Sequence, residues 1–301
     1  MLSDDLREEL AAIAPARECD RFAELSGLFH VAGHAHLRGR GSVDVHLDVS
    51  SSIVARRAFA LLRALGATSE IRTYRRTAFD HATRYQLHVE GSATAYETLH
   101  RAGVLDRAHR PLDHPPRRVV QRRCCEAAYL RGALLGAGSL SGPRDAHLEI
   151  RTGALDGANF LAGLAARLGA ELHVQERETH ASAYAKGTEA IADVLVAAGA
   201  VDVVLALEEQ AVLAATRADA NRLANADHAN LVRTSRAAHA QLEALRRLDV
   251  DALPDDLREI ALLRLRHPTA STAELARRCK PGLTKASAYR RLRRLQELSK
   301  F

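Results

Sequence analysis

The spacing of apolar and polar positions divides the chain into stretches of different character. Up to about residue 202, helical apolar runs alternate with short segments of period two, at residues 70–74 and 84–89 and again at 171–175 and 182–185. The landmarks of this region occur twice in the same order. Residues 25–33 (LSGLFHVAG) match residues 130–138 (LRGALLGAG), with glycines at 27 and 33 answered by 132 and 138. His46-Leu47-Asp48-Val49 is followed in the second copy by His147-Leu148-Glu149-Ile150, and Leu65-Gly66-Ala67 by Leu168-Gly169-Ala170. Residues 99–106 (LHRAGVLD) and 195–202 (LVAAGAVD) close the two copies. Five ordered matches signal an internal duplication, each copy reading α-β-β-α-β-β-α. Two copies with incomplete cores would pair about a pseudo-twofold axis. Between them, residues 107–123 hold Pro111, Pro115, Pro116 and six arginines, the composition of a linker.

After residue 202 the strand pattern stops. Residues 203–248 read as helices, with Asn221, Asn225 and Asn230 as polar punctuation and Asp227 as a cap for a helix through Ala240 and Leu245. Pro254 with Asp255 and Asp256 opens a new helix, because proline suits the first turn and acids favour the positive helix end. His267-Pro268 ends it. Ser271 with Glu274 has capping-box spacing and starts a short helix with Leu275 and Ala276 inward. Residues 280–283 (KPGL) make a turn, and Thr284 caps a last helix over residues 285–298. There Ala288, Leu292 and Leu295 form an apolar stripe at i, i+4 and i+7.

The expected class is therefore α+β: a duplicated αββαββα body with pseudo-twofold symmetry, joined to an all-α helix-turn-helix domain. The expected limits are 1–207 for the body (first copy 1–106, linker 107–123, second copy 124–207), 208–252 for a helical connector, and 253–301 for the helix-turn-helix domain.

Charge sharpens this picture. Residues 258–301 carry 12 Lys/Arg against 3 Asp/Glu, a net +9 in a chain of +6, so the rest sums to −3. A small basic helical module on a near-neutral body is the footprint of a protein that docks on a phosphate backbone. The helix over 285–298 is the one that would enter the major groove. Thr284 and Lys285 open it, and Lys285, Ala286 and Ser287 would lie nearest base edges, with Arg290, Arg291 and Arg294 reaching bases or phosphates. The turn is about two residues longer than in the simplest bacterial helix-turn-helix, which would give the helix an unusual angle.

In the body, a duplicated Leu-x-Gly helix followed by β-pairs resembles the LAGLIDADG homing endonucleases. The resemblance implies two helices packed backbone to backbone, which Gly27 and Gly132 permit, and strands forming a saddle over DNA. It also implies a metal-binding acid at the eighth motif position, and here those positions hold Ala32 and Ala137. The sixth-position acid is replaced by His30 and Leu135. Two-metal hydrolysis needs carboxylates at these places, so no catalytic residues and no nuclease activity are expected. On the strands, Arg72, Arg75, Arg76 and Arg84 are candidates for secondary DNA contacts, against the blander reading of a solvated sheet face. Residues 1–126 are +3 and 127–257 are −6, so the second half of the saddle is expected to be acidic and to repel phosphate.

A LAGLIDADG-like body without its acids, followed by a helix-turn-helix, is similar to the WhiA family of bacterial transcriptional regulators over essentially the full chain. The residues that carry this are 130–132 through 138–139, 147–150, 221–225 with 229–230, Leu253-Pro254, His267-Pro268, Ser271 with Glu274-Leu275, Thr284-Lys285 and Arg291-Leu292. The resemblance implies sequence-specific binding of double-stranded DNA at promoters, control of cell division and, in sporulating organisms, of sporulation. For actinobacterial members it also implies action beside a WhiB-type iron–sulfur protein. Two other readings remain. One is a metal-dependent endonuclease recruiting Asp44, Asp48 or Glu149; the other is a protein-interaction scaffold tethered to DNA, its acidic second copy binding a basic partner.

The remaining signals point away from other chemistry. Cys19, Cys124, Cys125 and Cys279 lack zinc-type spacing, which fits a reducing, cytoplasmic setting. His30, His34, His36 and His46 form too weak a cluster for a metal, so neither metal nor cofactor is expected. There is no apolar run long enough to span a membrane and no signal-peptide pattern.

Overall fold

The computed structural model describes residues 2–38, 42–75, 83–143 and 145–300. Residues 1–215 form one compact unit and residues 216–301 another.

In the first unit the chain runs α1 (Leu2–Ala12), α2 (Glu18–Ala32), β1 (Gly33–Arg38), β2 (Ser42–Val49), α3 (Ser52–Ala64), β3 (Ser69–Arg75), β4 (Thr83–Val89) and α4 (Ala93–Arg101). The second copy runs α5 (Arg123–Ala137), β5 (Gly138–Ser141), β6 (His147–Thr152), α6 (Leu155–Leu168), β7 (His173–Glu176), β8 (Ala181–Lys186) and α7 (Thr188–Ala198). Each copy is thus the expected αββαββα unit. Its four strands form an antiparallel sheet, in the orders β1-β2-β4-β3 and β5-β6-β8-β7. The Leu-Gly-Ala landmarks mark where α3 and α6 stop. Gly66 and Gly169 take φ of +82° and +91°, a left-handed conformation open to glycine at little cost.

Strand alternation assigns the faces. Val43, Val45, Leu47 and Val49 of β2, with Leu87 and Val89 of β4, are buried. Their neighbours Asp44, His46, Asp48, Gln86 and His88 therefore lie on the opposite face. In the second copy Leu148, Ile150 and Thr152 are buried with Ala181, Ala183 and Ala185. His147, Glu149, Arg151, Tyr184 and Lys186 take the outer face.

Helices α2 and α5 form the centre of the unit. A Cβ on Gly27 would lie 2.2 Å from the Tyr129 carbonyl oxygen, and one on Gly132 would lie 2.1 Å from that of Glu24. Backbone meets backbone at both places. Beside this crossing Glu24 is fully buried, and its carboxylate accepts from Arg57 Nε of α3 (2.7 Å) and Arg131 Nε of α5 (2.9 Å). Helix α1 precedes the first copy yet serves the second. Leu2, Leu6 and Leu10 are buried, and Ser3 Oγ donates to the Leu140 carbonyl of β5 and accepts from the Leu140 N–H, both at 2.8 Å.

One expectation about the later chain is corrected. Residues 203–248 were expected to break at their asparagines, with Asp227 as a cap. Instead one helix, α8, runs unbroken over Val201–Leu245 and places Asp227 in its interior. The segment contains no Gly or Pro, and an Asn or Asp inside an Ala-rich helix costs only about 0.5–0.7 kcal/mol. The first turn of α8 is capped from a distance: Glu9 of α1 accepts from the Asp202 N–H (2.8 Å) and the Val203 N–H (2.9 Å).

In the second unit the end of α8 packs with α9 (Asp255–Arg266), α10 (Thr272–Arg278) and α11 (Lys285–Leu298). Leu245, Leu257, Ile260, Leu275, Ala288, Leu292 and Leu295 are buried there as one cluster.

Candidate functional site

The geometry of α10, turn and α11 follows from local chemistry. Ser271 Oγ accepts from the Glu274 N–H (3.2 Å) and the Glu274 carboxylate accepts from the Ser271 N–H (3.0 Å), a complete capping box. That backbone hydrogen bond holds the Glu274 carboxyl below its ordinary pKa. The turn is fixed by the Leu283 N–H donating to the Ala276 carbonyl (2.9 Å) and the Lys280 N–H donating to Glu259 of α9 (2.6 Å). Thr284 Oγ1 then accepts from the Ser287 N–H (3.2 Å) and starts α11.

With Ala288, Leu292 and Leu295 inward, the outer faces of α11 carry the charge. Thr284, Lys285, Ala286, Arg290, Arg293 and Arg294 are exposed, and Ser287 is half-buried. The arginines are not equivalent. Arg290 and Arg294 make no hydrogen bond or ion pair with any described residue. Arg293 pairs with Glu297 one turn on (3.1 Å). Arg291 is half-buried; its Nη1 donates to the Asp256 carbonyl (3.0 Å), and its Nε lies 3.8 Å from the Asp256 carboxylate. It ties α11 to the start of α9.

Arg264 shows that charge counted along the chain overstates charge at the surface. It is 1% exposed, and its guanidinium donates to Gln241 Oε1 (2.9 Å) and to the Ala270 carbonyl (2.6 Å). Burial lowers its pKa from the ordinary arginine value. It knits the end of α8 to the loop before α10. A run of Arg258, Arg264, Arg266 in a basic segment gives no sign of which one is inside; the helical register against Leu257, Ile260 and Ala261 does. Tyr289, 57% exposed on α11, was also not singled out by the sequence.

The sheet faces differ from expectation in two ways. Arg72 pairs with Gln86 and Tyr74 with Arg84, so Arg72 and Arg84 share the outer face of the first sheet. Arg75 has the opposite parity and falls on the side of Leu87 and Ile71. Arg76 lies outside the described residues. The second correction concerns charge. Among described residues of the second sheet's outer face, Glu149 is the only acid, beside Arg151 and Lys186. Glu176 pairs with buried Ala181 and so faces the other way, and the remaining acids of this half lie on helices and loops. Among the side chains described, the first sheet's outer face holds Asp44, Asp48 and Glu70 against Arg72 and Arg84. The second half of the body is acidic, but its sheet face is not.

Ala32 and Ala137 are the last residues of α2 and α5 and bring no carboxylate to those helix ends. The alternative acids are held elsewhere. Asp44 meets His88 Nδ1 (3.2 Å), Asp48 meets His46 Nε2 (3.2 Å) and the Tyr74 hydroxyl (3.2 Å), and Glu149 accepts from Ser182 Oγ (2.5 Å). Asp44 and Asp48 stand on one sheet and Glu149 on the other. His34, His36 and His46 come together on the first sheet, with His46 stacked on both others at ring distances of 5.2 Å. His30 is apart from them: burial pushes its pKa down to about 4, and its Nδ1 lies 3.3 Å from Ser26 Oγ.

A duplicated LAGLIDADG-like body followed by a helix-turn-helix unit defines the class, and comparisons with known proteins agree on it. A WhiA N-terminal LAGLIDADG-like domain model matches residues 18–105, a WhiA LAGLIDADG-like domain model residues 126–217, and a WhiA C-terminal HTH domain model residues 220–299. A probable cell division protein WhiA from Heliobacterium modesticaldum is 34% identical over 99% of this chain and 95% of its own length. One from Acidothermus cellulolyticus is 35% identical over 98% of this chain and 92% of its own length. The chain belongs to the WhiA family. The fold is shared with the crystal structure of full-length DUF199/WhiA from Thermatoga maritima, at a TM-score of 0.57 and 21% identity, covering 99% of this chain and 97% of that one. No described helix is long and apolar enough to cross a membrane.

Proposed function

We propose that this protein is a sequence-specific, DNA-binding transcriptional regulator of cell division and chromosome segregation, acting also on sporulation where its source sporulates. In this reading it has no nuclease activity and works in the cytoplasm on the nucleoid, at promoter sites in duplex DNA. A WhiB-type iron–sulfur protein is its candidate partner. The working limits are a body over residues 1–207, a helical connector over 208–252 and a DNA-binding domain over 253–301.

The observation that carries the reading is the outer surface of α11. A side-chain cap fixes its start, an apolar stripe fixes its rotation, and Arg290 and Arg294 project without a partner among the described residues. Thr284, Lys285 and Ser287 occupy the first turn, where such a helix meets base edges. Arg291 has a second task, holding α9, so its substitution mixes stability with binding. The discriminating experiment compares Arg290→Ala/Arg294→Ala with Arg291→Ala in the full chain, on promoter DNA over a salt series. The double variant is expected to lose about 1–3 kcal/mol for each specific base contact removed. For each phosphate contact removed, its log–log salt slope is expected to become shallower by about 1. The Arg291 variant is expected to lower the unit's melting temperature as well. Unchanged affinity and slope in the double variant would remove α11 as the reader. Cutting of duplex DNA by the native chain with magnesium would overturn the absence of nuclease activity.

A further inference from the structure

Cys19 and Cys124 are related by the same offset of 105 residues that relates Gly27 to Gly132. A pseudo-twofold axis between α2 and α5 brings equivalent residues of the two helices face to face. The glycines meet at the crossing, and the cysteines meet at the other end, in the first turns of the same helices. Asp20 follows Cys19 in sequence, and Cys125 follows Cys124. The thiol sulfurs of Cys19, Cys124 and Cys125 and a carboxylate oxygen of Asp20 all lie within 4.8 Å of one another. Three of the chain's four cysteines, from two stretches about 105 residues apart and without any zinc-type spacing, thus converge on one point.

We propose that Cys19, Cys124, Cys125 and Asp20 form a binding site for a thiolate-seeking divalent metal ion of the zinc type, clamping the paired helices at the end away from Ala32 and Ala137.

The distances suit a tetrahedral ion. Zn–S bonds of about 2.3 Å place two sulfurs about 3.8 Å apart, and a sulfur and an oxygen about 3.6 Å apart. Cys124 and Cys125 sulfurs are 3.9 Å apart, and Cys19 Sγ lies 3.5 Å from Asp20 Oδ1. Ligands must bind as thiolates, and burial beside Cys19 and Cys124 raises the Cys125 thiol above its ordinary pKa, so the ion itself has to displace that proton. Cys19-Asp20 and Cys124-Cys125 each sit at the positive end of a 15-residue helix, which favours a bound anion, and Arg17 Nη1 lies 3.6 Å from Cys124 Sγ. Access is open, since Cys19 and Cys124 each line a surface groove while Cys125 is buried behind them. A bridge between Cys124 and Cys125 does not compete. Adjacent Cα atoms in a helix are about 3.8 Å apart, below the disulfide range of about 4.4–6.8 Å. A bridge from Cys19 to either of them is the alternative that the experiment must separate.

The test uses the reduced full chain, stripped by chelator and titrated with Co²⁺ and then Zn²⁺. The expected result is one Co²⁺ per chain with thiolate-to-cobalt charge-transfer absorption, displaced by Zn²⁺. Cys19→Ser and Cys124→Ser, both at half-buried positions, should weaken binding by more than about tenfold, the loss that supporting residues alone cause at metal sites. Cys279→Ser should leave it unchanged, and circular dichroism checks that each variant folds. Absence of the charge-transfer band in the reduced native chain overturns the proposal, as does an undiminished band in Cys19→Ser. A native chain isolated without metal and with two thiols that appear only after reduction overturns it in favour of a disulfide. None of these readouts depends on DNA.

Discussion

At the scale of single residues, His30 shows how a substituted motif position makes itself felt physically. It occupies a motif position that holds an acid in the endonucleases the body resembles, and it is buried with a pKa of about 4 against an ordinary 6.5. Between those two values the unfolded chain holds a proton that the folded chain lacks. Stability contributed by the neutral ring is therefore complete above pH 6.5 and falls as the pH drops toward 4, by about 1.4 kcal/mol per unit and about 3 kcal/mol in all. His30→Leu, which copies Leu135 of the second repeat, should flatten the pH dependence of urea stability in this window. Parallel curves for variant and native chains would show that His30 is already protonated in the fold. Arg264 makes a different point at this scale. Its charge is plain in the sequence, whereas its burial emerges only when residue 264 is set in register with Leu257, Ile260 and Ala261, the side of α9 that meets Leu275 and Leu292.

At the scale of elements, the pairing of α2 and α5 rests on two missing side chains. A methyl group at residue 132 would press on the backbone of Glu24 and Leu28, which cannot swing aside as a side chain can. Gly132→Ala should cost about 1–3 kcal/mol or more, read as a lower urea midpoint. A variant as stable as the native chain would mean that the helices can move apart freely. The repeat made this pairing legible, since two glycines at one offset in similar helices imply a shared contact. It also placed the strands, because period-two alternation survives in both copies. The unbroken course of α8 was not legible. Asparagine and aspartate are common both at helix caps and on exposed helix faces, and only the absence of Gly and Pro distinguishes the two here. The convergence of Cys19 with Cys124 and Cys125 escaped for another reason: metal-site spacing is sought within one stretch of chain, whereas here the duplication brings the cysteines together.

At the scale of the whole molecule, summed charge and presented charge diverge. Residues 127–257 are −6 by composition, yet the outer sheet face of the second copy shows Arg151 and Lys186 against Glu149. The first half is +3, yet its face carries three acids beside Arg72 and Arg84. Among the side chains described, both faces are mixed, and neither is a strong phosphate track. Replacing Arg72, Arg84, Arg151 and Lys186 together by Ala in the full chain should leave the salt slope of DNA binding within error. A slope shallower by more than about 2 would show that the body grips the duplex as well. The placement of α1 has a consequence for how the chain is made. Ser3 needs Leu140 of β5, and Glu9 needs Asp202, 193 positions later. At about 5–20 residues per second, a ribosome takes roughly 10–40 s to supply them. Helix α1 is thus made long before its last partners, and the surface through which Ser3 and Glu9 join the second copy stays open to chaperones and neighbouring nascent chains until then.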